Sequence, residues 1–381
     1  MPRIALLSAE YPPTPGGIGD YSRQLGLALS AQHVDVVIVT GAATGAAPAA
    51  ADLPIFRLPQ ASWGWHIAQD VAAALQQTRA DLLHIQYQTG AYAMHPAINL
   101  LPRRIATPTV VTMHDLLVPY LFPKAGPLRQ MANRQLMRHA AAVITTNAAD
   151  HAHATGMLVP PIAIGANIAV APPAGYDRAA FRQHLGLAPD TTLVAFFGLI
   201  SRTKGVDTLI EALRRLPVEY RLVIIGGESR APDDQQFIAA ARARIQSTGL
   251  TSRVLITGHL SAELVSAYLL AADVAALPYN DGASFRRGSL LAALAHDLPT
   301  ITTTPQDAGE GDEIAHAAVL VNPENPDALA VAIVRLAGDE TTRARLVASG
   351  AALVAARSWQ HIAARHRVVY EQVLRGEFMV K

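Results

Sequence analysis

The chain has 381 residues, 51% hydrophobic and 16% charged, which calls for about two domains, each burying its own core. A formal net charge of +1 argues against a nucleic-acid binder, and the absence of cysteine excludes disulfides, thiolate metal sites and cysteine nucleophiles. The apolar start before Glu10 is too short for a signal peptide and no run of about 18 apolar residues follows, so a cytoplasmic chain without a spanning helix is expected.

Short apolar, often β-branched runs alternate with helical patterns along the whole length. In the first half they cover 3–7, 34–40, 55–58, 82–87, 109–113 and 142–145. In the second half they cover 193–198, 221–226, 254–258, 274–278, 300–303 and 318–321. Continuous apolar runs predict strands buried on both faces, as in parallel sheets covered by helices. Two such sets predict two doubly wound α/β domains. Between strands, Val206, Leu209, Ile210, Leu213 and Leu216 form a one-sided helical stripe, with Glu211, Arg214 and Arg215 outside it. Near the end, Ser358 is a candidate cap for a helix carrying Trp359, Ile362, His366, Val369 and Val373 on one side. The Pro-rich stretch 160–173 marks the boundary.

The loops after these strands hold the candidate chemistry. Tyr11-Pro-Pro-Thr-Pro-Gly-Gly-Ile-Gly19 follows the first strand and leads into a helix. It is not a GxGxxG fingerprint, because 11–15 lengthens the turn. Gly16, Gly17 and Gly19 are either simple turn glycines or a loop whose amides contact a donor phosphate or an acceptor. Gln88 and Tyr92, after another strand end, are placed on the acceptor side. His114 and Asp115 follow the strand 109–113; His114 either bonds a sugar hydroxyl, acts as acid or base, or is simply satisfied by Asp115. The apolar stretch 116–122, followed by Lys124, Arg129, Arg134 and Arg138, is either an ordinary surface helix or a weak contact with an anionic bilayer.

In the second half, Phe197-Gly-Leu-Ile-Ser-Arg-Thr-Lys-Gly205 offers Arg202 and Lys204 just past a strand, where ligands of open α/β sheets sit. Two cations there neutralise a diphosphate, Lys204 as a point charge and Arg202 as a fork. Arg286, Arg287, Gly288 and Ser289 precede an apolar helix, so cations meet free helix N-terminal amides. There is no Walker lysine loop, no G-x-S-x-G elbow, no H-E-x-x-H and no Asp-x-Asp. Glu310-Gly-Asp312 comes nearest to a metal-holding pair and reads as solvated; the 14 histidines are scattered, so no metal site is expected.

Taken in order, these segments resemble the GT-B glycosyltransferases of the large retaining group called family 4, essentially end to end. Glu10-Tyr-Pro-Pro through Gly19 is similar to that family's opening loop, and Thr112-Met-His-Asp115 to its His-Asp element. Phe197 to Gly205 resembles its G-R-L-x-x-x-K-G segment, and Leu291-Ala-Ala-Leu-Ala-His-Asp-Leu-Pro299 its late helix. The resemblance implies two Rossmann-like domains facing across a cleft: 1–165 on the acceptor side, 166–357 on the nucleotide-sugar side, and a final helix 358–381 crossing back. It implies transfer of a sugar from a nucleotide-diphosphate donor, of UDP or GDP type, to a hydroxyl acceptor (glycan, lipid or small molecule). Retention of configuration, no metal and no further cofactor are expected with it. His114, Lys204 and Arg202 are then the catalytic candidates, with Gly16, Gly17, Gly19 and Arg286 to Ser289 on the phosphates, and Gln88, Tyr92 and Asp115 on the acceptor side. The chain departs from the family at Leu199, where arginine is usual, and at Ser284 and Ala292, where two glutamates are usual. Those departures leave open a catalytically weak nucleotide- or glycan-binding protein on the same scaffold. A sugar-nucleotide epimerase is a third alternative; it needs paired carboxylates, and none is identified.

Overall fold

The computed structural model of the protein describes residues 2–14, 16–42, 52–59, 63–116, 126–228 and 232–378. The chain divides into two compact units, one formed by Met1–Gly165 with Arg357–Lys381, the other by Ala166–Ala356.

In the first unit, β1 (Arg3–Ser8), β2 (Asp35–Thr40), β3 (Ile55–Arg57), β4 (Leu82–Tyr87), β5 (Thr109–Met113) and β6 (Ala142–Thr145) form one sheet in the order β3-β2-β1-β4-β5-β6. All its pairs are parallel, from Arg3 opposite Asp35 to Met113 opposite Thr145. Every residue of β4 and β5 is buried, as their unbroken apolar runs require. The second unit repeats the plan with β7 (Thr192–Phe197), β8 (Tyr220–Ile225), β9 (Val254–Ile256), β10 (Val274–Leu277), β11 (Thr300–Thr303) and β12 (Ala318–Val321). Its order, β12-β11-β10-β7-β8-β9, is again parallel throughout and has the same connectivity. The predicted strands are therefore all present, with ends shifted by a residue or two.

This topology creates a crevice in each sheet where the strand order reverses, between β1 and β4 and between β7 and β10. Chain leaving those strands at their carboxyl ends is where such folds bind ligands. The stripe predicted on the helix Val206–Arg215 is buried at Val206, Leu209, Ile210 and Leu213, with Leu216 buried just beyond it, and Arg214 and Arg215 are exposed. Ser358 caps the C-terminal helix Trp359–Leu374 by accepting the His361 backbone N–H. That helix packs against the helix Gly17–Ala31, and its Ile362, Ala363, Val369, Tyr370 and Val373 join the core of the first unit beside Leu25 and Leu29.

Candidate functional site

At the β1/β4 crevice the chain past β1 turns through Glu10 and Tyr11 into the helix Gly17–Ala31. A side chain on Gly16 would collide with the Glu10 carboxylate, and one on Gly19 would lie 2.9 Å from the Glu10 carbonyl oxygen. Two of the three predicted glycines thus let the helix approach the Glu10–Tyr11 backbone, while Gly17 faces open space. The loop presents a carboxylate as well as amides. Burial, and then the charge of Asp20, raise the Glu10 pKa.

His114 leaves β5 with its backbone N–H donating to the Tyr87 carbonyl at 3.0 Å. Its Nε2 lies 2.9 Å from the Gln86 Oε1, and the Tyr21 ring packs edge-on at 4.7 Å. Burial, and then His366, hold its pKa down at about 3, so the ring is neutral at physiological pH. An amide oxygen only accepts, so His114 carries its proton on Nε2 and keeps an acceptor at Nδ1. It is suited to taking a hydrogen bond from a hydroxyl and unsuited to acting as a resident acid. Asp115 is buried. Gln88 is partly exposed, but Tyr92 is fully buried and donates its hydroxyl to the Leu7 carbonyl at 3.3 Å. Tyr92 therefore supports the crevice from behind, a correction to its expected place on an acceptor surface. Of the bilayer-contact stretch, Lys124 and all of the apolar run 116–122 except Leu116 lie outside the described residues. Past it, Arg134 and Arg138 are exposed on the helix Gly126–His139, and Arg129 donates to the Leu116 carbonyl at 3.1 Å.

In the second unit, the chain past β7 makes one 3-10 turn, Arg202–Lys204, and reverses at Gly205, whose φ is +66°. A Cβ there would run into the Pro278 carbonyl, so this loop and the one after β10 touch backbone to backbone. Asn280 ties them further, its backbone N–H donating to the Thr203 carbonyl at 3.0 Å and its Nδ2 to the Arg202 carbonyl at 2.9 Å. The result is a cluster of charges around one buried ring. Lys204 Nζ sits 5.1 Å and the Arg287 guanidinium 4.8 Å from the centre of the Tyr279 ring. The Tyr279 hydroxyl meets Ser289 Oγ at 2.7 Å, and Arg287 pairs with Asp281. Ser289 lies in the first turn of the helix Gly288–Ala295, which has no side-chain cap on its N-terminal amides. Burial, and then the nearby Arg287, push the Lys204 ammonium down to about 7, against the smaller opposing pull of Asp281. Two cations held close to one aromatic ring, beside helix N-terminal amides without a side-chain cap, form a candidate anion site.

Arg202 and Arg286 are not drawn into this cluster in the same way. Both are exposed; Arg202 is held by its backbone, including its N–H to Asp234 at 3.0 Å, and Arg286 turns its Nε towards Ser284 Oγ at 3.4 Å. Glu310, expected to be solvated, instead accepts the Phe285 backbone N–H at 3.0 Å and anchors the loop that carries Arg287. Leu199 is 53% exposed, and Ala292 is fully buried. Among the described residues no group of three His, Asp or Glu is placed to hold a metal. Sequence reasoning missed Tyr279, Asp281, Gln86 and Glu10. Tyr279 and Asp281 directly follow a predicted strand, a position that could have flagged them. Gln86 lies inside a buried strand and had no such signal.

Residues 16–167 match the glycosyl transferase 4-like domain model, and residues 191–339 match the glycosyl transferases group 1 model. A D-inositol 3-phosphate glycosyltransferase of Xylanimonas cellulosilytica is 28% identical, with 97% of each chain covered. The α-D-kanosaminyltransferase of Streptomyces kanamyceticus is 28% identical over 71% of each. Among solved structures, sucrose-phosphate synthase of Thermosynechococcus elongatus superposes with a TM-score of 0.78 at 22% identity, covering 99% of this chain and all of that one. Anabaena HepE in complex with UDP and glucose gives 0.76 at 19% identity, with 98% and 100% covered. Two parallel Rossmann-like sheets and these matches identify the chain as a member of the group 1 glycosyltransferases of GT-B fold.

Proposed function

We propose that this enzyme moves a hexose from a nucleoside-diphosphate sugar, of UDP or GDP type, to a hydroxyl of a glycan, a lipid-linked sugar or a small phosphorylated polyol. Transfer would proceed with retention and without a metal ion. The observation that carries the reading is the pair of cations, Lys204 and Arg287, set over Tyr279 beside the amides of Gly288 and Ser289. As the bond between the anomeric carbon and the phosphate oxygen breaks, charge accumulates on the leaving diphosphate. Fixed cations and amides stabilise that charge more in the transition state than in the ground state. The acceptor oxygen bonds to the anomeric carbon from the same face, and its proton passes to the departing phosphate. No protein nucleophile is needed. The neutral His114 accepts a hydrogen bond from a sugar hydroxyl at Nδ1 and helps orient it, and the first unit supplies the acceptor side. The UDP and glucose bound by HepE, and the inositol phosphate in the name of the Xylanimonas relative, support these substrate classes.

The test is transfer from UDP-, GDP-, ADP- and dTDP-sugars to sugar, inositol phosphate and lipid-linked acceptors with a chelator present, the product anomer being read by NMR. Lys204→Ala is expected to lower turnover roughly 100- to 1000-fold, the loss usual for one transition-state hydrogen-bond donor. No binding of any nucleoside diphosphate, or an unchanged turnover in Lys204→Ala, would overturn the reading. Tight nucleotide binding without transfer would favour the catalytically weak alternative, which the alanine at 292 and the serine at 284 motivate. Flotation with anionic liposomes tests whether the basic helix Gly126–His139 draws the enzyme to a membrane face.

A further inference from the structure

We propose that Trp65, His95 and Arg104 form an outlying acceptor subsite that takes an acidic sugar, a pyranose bearing a carboxylate or a phosphate. The proposal deepens the reading of the chain as a transferase with its acceptor side in the first unit, and rests on that reading.

The platform is built from chain leaving β3 and β4 at their carboxyl ends, the side on which such sheets bind ligands. Past β3, the Trp63 ring packs edge-on against the buried Tyr92 at 4.8 Å. The chain then turns closely at Gly64, where any side chain would lie 2.7 Å from the His66 ring. Trp65, the next residue, is left 58% exposed. Past β4, Ala93 and Met94 both take left-handed backbone, φ +53° and +57°, which residues other than glycine adopt only at a cost. The backbone N–H groups of Ala93, Met94 and His95 hold this turn by donating to the carbonyls of Gly90, Thr89 and Tyr92, each at 3.0 Å. The strained turn sets the His95 ring edge-on to Trp65 at 5.2 Å. At the end of the short helix Leu101–Arg104, the Arg104 guanidinium stands 5.9 Å from the centre of the Trp65 ring.

The groups left open here are all donors. His95 Nδ1 accepts the Ala97 backbone N–H at 3.2 Å, so the ring carries its proton on Nε2. Among the described residues, that Nε2–H, the Trp65 indole N–H and the guanidinium of Arg104 have no hydrogen-bond or ion-pair partner. Residues 82–114 hold Arg103 and Arg104 and no Asp or Glu, and Asp70, the nearest acid in the chain to Trp65, faces His66 at 3.7 Å. An arginine without a carboxylate, beside an open indole, complements an anion attached to a flat apolar face. A pyranose has such a face: its axial C–H bonds, slightly positive, pack on the electron-rich ring, while its carboxylate or phosphate meets Arg104 and His95. A bilayer contact would bury more apolar surface than this, since within 63–116 Met94 is the only other large hydrophobic side chain left exposed.

The experiment is 15N NMR of the tryptophan indole groups in the full chain, Trp65 being assigned by the signal lost in Trp65→Phe. The probes are a tetrasaccharide of alternating glucuronate and N-acetylglucosamine, glucose 6-phosphate, neutral chitotetraose, and vesicles of phosphatidylglycerol with phosphatidylcholine. An acidic probe should shift the Trp65 indole saturably, the stronger response telling carboxylate from phosphate, and chitotetraose should bind about tenfold more weakly, as befits one lost charged hydrogen bond. Trp65→Ala and Arg104→Gln, both at exposed positions, should each weaken the acidic probe about tenfold by calorimetry while the melting temperature stays near native. No shift with either acidic probe, equal binding of chitotetraose, undiminished binding in both variants, or a response to vesicles alone overturns the proposal. Binding at Trp65 without transfer to any acceptor removes the transferase reading and leaves a sugar-binding site. Transfer without binding there removes the subsite alone, so the two failures are distinguishable.

Discussion

Lys204 is the residue where burial and function pull against each other. An ammonium held near 7, against the ordinary 10.5, is a cation the fold keeps at a cost. Between those two values the unfolded chain binds more protons than the folded one, so this group makes stability rise with pH across that window. Lys204→Met should therefore leave the melting temperature equal or higher while abolishing the phosphate contact. A bound diphosphate reverses the balance by favouring the charged form. UDP binding should then take up a proton above pH 7 and weaken as pH rises towards 9, by up to about tenfold per pH unit. Calorimetry in buffers of different ionisation enthalpy reads that uptake directly; pH-independent affinity with no proton uptake would remove Lys204 from the phosphate site. His114 was legible in the sequence because it ends an apolar strand run. Its chemistry was not, because the ring is neutral through burial and then through His366, 252 positions away in the chain, and its hydrogen-bond partner Gln86 lies 28 positions away.

At the scale of elements, the proposed anion site depends on two loops held in contact. Gly205 lets them touch, since any side chain there meets the Pro278 carbonyl and φ lies in the left-handed region. Gly205→Ala should cost roughly 3 kcal/mol, read as a shifted urea midpoint, and should lower turnover because Lys204 can no longer sit over Tyr279. A variant with native stability would show that the loops can part without penalty. The strands themselves were readable from sequence, since an unbroken apolar run of four to six residues has few alternatives in a chain of repeating strand and helix signals. The loop contacts were not readable, because Pro278 and Gly205 are brought together by the pairing of β10 with β7 and by nothing local.

At the scale of the whole molecule, the last helix belongs to the first unit although it follows the second in the chain. Residues 166–356 should fold alone with one cooperative transition, whereas 1–165 without 357–381 should lose the side of its core that Ile362, Val369, Tyr370 and Val373 complete. Hydrogen exchange on the separate fragments checks this: low protection in 1–165 that rises when a 357–381 peptide is added is the expected result, and full protection without it would refute the dependence. The sequence by itself determined the twelve strands, the doubly wound class and the family, because burial on both faces imposes continuous apolar runs and the loop motifs keep their order. Tertiary structure alone decided which cations share a ring, which tyrosine is support rather than surface, and which proton His114 carries. Those depend on distances between segments far apart in the chain, and a periodicity of two or 3.6 residues holds no information about them.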